Sequence, residues 1–222
     1  MYKFIFKRFL DIILSSFAII LLSPMLIAIV IVLLITGEHY VFYFQERIGY
    51  KNKKFKIIKF ATMVKNSPNI GNRLHTKKND PRILPIGGFL RKTKINELPQ
   101  LFNILFGSMT IVGPRPLVDK TFEPYSDEVK KSIYNVKPGL TGIGSIVFRD
   151  EEELLSKTNL PLEEYYKKFI SPYKGELELW YQKNFSFYTD FLIIMITAFT
   201  IFFPNNNLVS LFFKDLPKKK IK

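Results

Sequence analysis

The residues best suited to chemistry are concentrated between Asn79 and Pro116. Asn96 and Glu97 open an apolar-periodic run, with Arg82, Arg91, Lys92 and Lys94 before it and Gly113-Pro114-Arg115-Pro116 after it. Leu98, Leu101, Phe102, Leu105 and Phe106 fall at i, i+3, i+4, i+7 and i+8, the spacing of one helix face. Asn96 is then the expected N-cap, Pro99 sits in the first turn where its missing N–H is harmless, and Gly107 is the expected stop. The prolines around Arg115 stiffen its loop and fix where the guanidinium points. A helix N-terminus with guanidinium groups on both sides outlines a phosphate site. On spacing alone, an N-cap Asn with nearby Arg in a helix that binds nothing reads the same way.

Several elements must position these groups. Phe55 to Met63 alternates apolar and polar residues as a short strand does. Residues 66–78 are rich in Asn, Gly, Ser, Pro and Lys and read as a mobile loop. Tyr125 to Tyr134 predicts a surface helix. Gly139 and Gly142, in Lys137-Pro138-Gly139-Leu140-Thr141-Gly142, permit positive φ and close backbone approach. Asn159-Leu160-Pro161 starts a helix carrying Tyr165, Tyr166 and Phe169, and a further helix covers Glu176 to Gln182. The apolar stretch Phe191–Phe203, stopped by Pro204, is too short to cross a bilayer. It is a core helix or an interfacial one, and the flanking aromatics Phe185, Phe187, Tyr188, Phe202 and Phe203 favour the interface.

The chain has 222 residues, enough for one domain or one domain plus a membrane segment, and combines 47% hydrophobic residues with a net charge of +14. Such a chain divides its apolar and basic residues between regions. It has no Cys, which excludes disulfides and Cys-ligated metal sites, and its two histidines, His39 and His75, stand apart and read as structural or solvated. Lysines cluster at 51, 53, 54, 56 and 59 and again at 218, 219, 220 and 222. Beside apolar segments, such clusters suit anionic membrane lipids better than nucleic acid, for which there is no recognition helix, zinc module or RNP-like motif.

Lys3, Lys7 and Arg8 precede an apolar run from Phe9 to Ile35. The run is long enough to span a bilayer, and it lacks the small-residue cleavage site of a signal peptide. Pro24 withholds one helical hydrogen bond, so Phe9–Ser23 and Met25–Ile35 can meet at an angle. Basic residues lie on both sides of the run, which fits a hairpin that enters and leaves by the cytoplasmic face, while an ordinary span remains open.

The motifs together resemble those of the bacterial monotopic phosphoglycosyl transferases. Asn79-Asp80-Pro81-Arg82, Leu90-Arg91-Lys92-Thr93, Glu97-Leu98-Pro99-Gln100-Leu101 and Val112-Gly113-Pro114-Arg115-Pro116 match the family's order and spacing. Phe42 to Gly49 is similar to its FxQxRxG segment, Lys59-Phe60-Ala61-Thr62-Met63 to KFRTM, and 138–142 to PGITG. Asn96 stands where the family has a nucleophilic Asp, Ser108 replaces the acid of GDMS, and Ala61 removes one Arg.

The resemblance implies transfer of a sugar 1-phosphate from a UDP-sugar to undecaprenyl phosphate with Mg²⁺, at the cytoplasmic face of the bacterial inner membrane. It also implies a re-entrant helix broken at Ser23-Pro24. The catalytic candidates are Glu97 and Asn96, with Glu97 also the metal candidate; Lys59, Arg82, Arg91, Arg115 and Arg149 are the substrate-binding candidates. A neutral amide is a far weaker nucleophile than a carboxylate. Glu97 therefore positions the acceptor for direct attack, or becomes the nucleophile, or the chain binds without turnover as a membrane scaffold or lipid-binding subunit of such a pathway. The expected fold is α+β and mainly helical: a membrane helix hairpin over residues 1–38, then a cytosolic catalytic region with interfacial amphipathic helices and a basic tail over 39–222.

Overall fold

The computed structural model describes residues 5–67, 70, 80–156, 158–204 and 206–218. Asn79, His75, most of the loop at 66–78 and the lysines at 3, 219, 220 and 222 lie outside the described residues.

The apolar run forms α1 (Lys7–Ile35), 29 residues long, or about 44 Å at the α-helical rise. Lys7, Asp11, Ser15, Leu26, Ile29 and Leu33 are buried, and Ala18, Ile19 and Leu22 pack partly against the core, so three- and four-residue steps trace one covered stripe. Phe9, Ile13, Phe17, Ile20, Ile27 and Ile31 are exposed on the other sides. By length and composition α1 could cross a membrane, yet it docks on one body at both ends. Arg8 donates to the carbonyls of Ile104 and Leu105 at 2.5 and 2.7 Å, and Leu33 packs with Phe60 and Leu90.

The expected break at Ser23-Pro24 is instead continuous helix. Pro24 lacks the N–H that would reach the Ile20 carbonyl. The Ser23 hydroxyl donates to that carbonyl at 2.8 Å, so the proline leaves no acceptor bare.

After α1, β1 (Phe42–Ile48) and β2 (Lys54–Phe60) form an antiparallel hairpin in which Gln45 faces Ile57 and Arg47 faces Phe55. The helices α2 (Pro85–Lys92) and α3 (Gln100–Leu105) lead into β3 (Thr110–Val112). Short helices α4 (Asp119–Phe122) and α5 (Asp127–Ser132) precede β4 (Gly139–Thr141), which pairs parallel with β3. Then come α6 (Ile143–Val147), α7 (Glu151–Ser156) and α8 (Leu162–Tyr165). A π-helical turn, Tyr166–Ile170, joins α8 to α9 (Ser171–Lys183). The described chain ends with α10 (Phe187–Phe202) and α11 (Leu208–Phe212). The α+β, mainly helical class agrees with the sequence.

The largest core gathers Val112, Ile143, Phe148, Ile170, Leu177, Tyr181, Ile193 and Ile196 between β3, α6, α9 and α10. α5 begins at a Ser126 cap and buries Val129, with Tyr125, Ile133 and Tyr134 covered around it, so it is a core-covering element rather than a free surface helix. α10 starts at the Ser186 cap and divides its apolar residues. Leu192, Ile193 and Ile196 enter the core, while Phe187, Phe191, Met195, Phe199 and Phe202 are exposed. A soluble protein seldom shows so continuous an apolar face as α1 and α10 present.

Candidate active site

The approach to Glu97 differs from the sequence expectation in one respect. Lys94 adopts left-handed φ of 60°, and Ile95–Glu97 form a single 3₁₀ turn before α3 begins at Gln100. Asn96 therefore does not cap α3; the cap position is Pro99, which makes no side-chain cap bond. Asn96 is only 7% exposed, and its Oδ1 is buried without a hydrogen-bond partner. Gly107 does terminate the helix, with φ of 88°. The expected apolar face is split: Leu101 is buried and Phe106 exposed, while Ile104 carries the core contact.

Asn103, buried on α3, locks this helix to the hairpin. Its Oδ1 accepts from Ile58 N at 2.9 Å, and its Nδ2 donates to Lys56 O at 2.9 Å and Ser108 Oγ at 3.2 Å. Ser108, at the position of the expected acid, thus belongs to the scaffold of α3.

With α3 fixed against β2, Glu97 meets Lys59. Lys59 Nζ donates to Oε1 at 3.2 Å, and Arg115 embraces the same carboxylate, Nη2 to Oε1 at 2.7 Å and Nη1 to Oε2 at 3.3 Å. Burial pushes the Glu97 carboxyl up, but Arg115 and Lys59 overcome it and hold the group well below the usual carboxylate range. Burial pushes Lys59 down to about 8, against the pull of Glu97 and with help from Arg47 and Arg115. Arg47 lines the same pocket with Lys59, Gln100, Arg115 and Pro116. It is held by Gln45 Oε1 and by the Pro116 carbonyl at 3.1 Å. Three cations around one carboxylate leave a net positive charge that attracts an anion.

The Arg115 loop is clasped from two sides. Tyr134 Oη donates to the Arg115 carbonyl and accepts from Leu117 N, both at 2.9 Å. Gly113 N donates to Thr141 O and Gly139 N to Pro114 O, also at 2.9 Å. A Cβ on Gly139 would lie 2.1 Å from Gly113 N, so glycine is required for close approach. Positive φ is not the reason, since among the described glycines only Gly37 and Gly107 adopt it.

The other expected ligands lie elsewhere. Arg82 is buried and committed to Asp80 and to the carbonyls of Ser67 and Ile70, where it ties down its own loop. Arg149 donates to the Thr200 carbonyl near the end of α10. Arg91 sits half-buried in the last turn of α2. Glu97, Lys59 and Arg115 are brought together, whereas Arg82 and Arg149 are engaged with other parts of the chain. Arg47 and Tyr134 enter as unexpected participants. Arg47 stands in the segment similar to FxQxRxG, which was the available sign for it; Tyr134 carried none, because its partners lie 17 and 19 residues away.

Residues 2–204 match the family model for bacterial sugar transferases. The chain is 36% identical over 200 residues to the UDP-glucose:undecaprenyl-phosphate glucose-1-phosphate transferase of Klebsiella pneumoniae, an alignment covering 88% of this chain and 40% of that protein. It is 33% identical over 206 residues to the undecaprenyl-phosphate galactose phosphotransferase of Salmonella typhimurium, covering 86% of this chain and 39% of the relative. Against the exopolysaccharide production protein ExoY of Rhizobium meliloti it is 30% identical over 205 residues, covering 86% and 83% respectively. The chain thus spans about two fifths of the length of the first two relatives and most of the third. With a family match over nearly its whole length, the chain belongs to the bacterial sugar transferases.

Proposed function

We propose that this chain transfers a sugar 1-phosphate from a UDP-sugar to undecaprenyl phosphate, the step that begins assembly of a polysaccharide or related glycoconjugate. The observation that carries the reading is the Glu97 carboxylate gripped by Arg115 and Lys59 beside Arg47, on a body whose α1 and α10 expose apolar faces. Relatives are named for UDP-sugar donors and the undecaprenyl phosphate acceptor.

The acceptor phosphate oxygen attacks the β-phosphorus of the donor directly. The bond from that phosphorus to the bridging oxygen breaks, and UMP leaves with the electron pair. Asn96 offers no anionic oxygen, and both Glu97 oxygens accept from Arg115, which favours the acceptor phosphate as nucleophile. Arg115, Lys59 and Arg47 orient the diphosphate and oppose the charge that grows on the departing UMP. Glu97 aligns Arg115 and Lys59.

Mg²⁺ fits this donor set when carried in by the diphosphate. Such ions take one or two protein ligands and complete their shell with phosphate and water. Glu97 and the unpaired Oδ1 of Asn96 would hold it, and it would supply charge neutralisation at the phosphates.

The catalytic region is proposed to sit on the cytoplasmic face of the inner membrane, with α1 lying in one leaflet as a single helix, α10 interfacial, and the lysines at 51, 53, 54 and 56 against anionic lipids. The attachment of both α1 ends to one body favours this over a crossing.

The test is UMP release by protein in nanodiscs with undecaprenyl phosphate, Mg²⁺ and a panel of UDP-sugars. Lipid-dependent release that disappears in Glu97→Ala supports the reading. No release with any donor, together with gain of release in Asn96→Asp, would turn the natural chain into a binding protein.

A further inference from the structure

A second concavity shares no lining residue with the cationic pocket. It is a groove of about 210 Å³ between the N-terminal half of α1, β3 and the start of α10. Leu10, Leu14, Ile111, Phe187, Phe191 and Ile194 form its apolar walls. Charged side chains also border it, and they are engaged with protein groups. Lys7 Nζ donates to Asp190 and to the Val112 carbonyl at 2.8 Å, while Tyr181 Oη donates to Asp190 Oδ1 at 2.7 Å. Asp11 accepts from Thr110 Oγ1 at 2.7 Å and from Ile111 N at 2.9 Å.

These partners favour an occupant without a charged end in the groove. A lipid whose phosphate must be recognised close by would find no comparable cation there, because Lys7 is already paired. Hydrocarbon is the matching chemistry. Leu14, Phe187 and Phe191 are partly exposed, so the groove is continuous with the apolar face of α1 and α10.

The groove also has a direction. Val112 lines it and ends β3, and Arg115 follows three residues later, at most about 10 Å of extended chain away. A long hydrocarbon lying in the groove can therefore have its phosphate end at Arg115 while its tail stays among α1 and α10. We propose that the groove holds part of the isoprenoid chain of the acceptor, a subsite for hydrocarbon separate from the site for phosphate. This rests on the transfer reading above and adds to it where the acceptor's tail is bound.

Two measurements test it. First, Leu14→Trp, at a half-exposed wall position, fills the groove without touching the cationic pocket. The apparent KM for undecaprenyl phosphate should rise about tenfold, the loss of burial of roughly two methylene groups. The KM for the UDP-sugar should stay level, and an acceptor of only two isoprene units should be little affected. An equal rise for both acceptors, or no rise for either, overturns the subsite.

Second, the unaltered protein in nanodiscs is photolabelled with an isoprenoid phosphate bearing a benzophenone along its chain. Labelling of peptides containing Leu14 or Phe191, competed by undecaprenyl phosphate and not by phosphatidylglycerol, supports the proposal. Labelling confined to other peptides, or equal competition by phosphatidylglycerol, overturns it; the latter outcome would assign the groove to a bilayer lipid. This readout needs no turnover. Groove labelling without UMP release would reject the transfer reading and keep the hydrocarbon site, whereas UMP release without groove labelling would do the reverse.

Discussion

Arg115 holds both carboxylate oxygens of Glu97, Nη2 to Oε1 at 2.7 Å and Nη1 to Oε2 at 3.3 Å. This two-point contact requires a planar fork, which lysine lacks. Arg115→Lys should keep the charge and still lower UMP release about a hundredfold, in the range expected when one preorganised donor to a developing charge is lost. Activity within a factor of about two of the parent would remove Arg115 from the centre of the mechanism.

The second prediction concerns pH. Burial, with Arg47 and Arg115 assisting, brings Lys59 from 10.5 down to about 8. The unfolded chain then holds more protons between those two values, so this group's contribution to folding stability improves as pH rises through the window. Anion binding has the opposite sign, because it needs the cation. Affinity for UDP, followed by calorimetry, should fall as pH passes about 8, with proton uptake on binding above that point. Lys59→Arg should flatten the profile. A parent profile already flat across that range would mean that Lys59 does not meet the phosphate.

Tyr134→Phe should separate loop position from charge. The hydroxyl satisfies one buried carbonyl and one buried N–H on either side of Pro116. Its removal should cost about 1–3 kcal/mol in stability and raise the KM for the UDP-sugar as Arg115 loses its support. Thermal denaturation with steady-state kinetics checks both. Unchanged melting would show that the Arg115 loop holds its shape without this tyrosine.

Lys7 and Asp190 tie the start of α1 to α10 through a buried pair. Losing one partner leaves an uncompensated buried charge, so Lys7→Met should destabilise by about 3–5 kcal/mol, while Lys7→Met with Asp190→Leu should recover much of that loss. Denaturation in detergent measures the difference. A double variant no better than the single would mean that Tyr181 and Val112, rather than the ion pair, supply the attachment.

Much of the candidate site was legible before any coordinates. Glu97, Arg115 and Lys59 stand in motifs of recognisable order, and both cations donate to the Glu97 carboxylate. The stop at Gly107 follows from local chemistry that a few neighbouring residues express, whereas the cap expected at Asn96 gave way to a 3₁₀ turn. Arg82 and Arg149 were equally plausible as phosphate ligands, because a guanidinium looks the same in sequence whether it faces substrate or a backbone carbonyl.

By itself, the sequence determined the family, the long apolar first helix and the alternation of β2, and it picked out Glu97 as the candidate carboxylate, all of which rest on periodicity or on short ordered motifs. Tertiary structure decided the rest. It sent Arg149 to Thr200 and Arg82 to Asp80, buried Asn96 without a partner, and turned Lys7, Arg8 and Asp11 from flanking charges into anchors of α1. It also carried one helix through Pro24 along a single body. Those outcomes depend on contacts between residues far apart in the chain, and no local pattern encodes which distant carbonyl or carboxylate a side chain will reach.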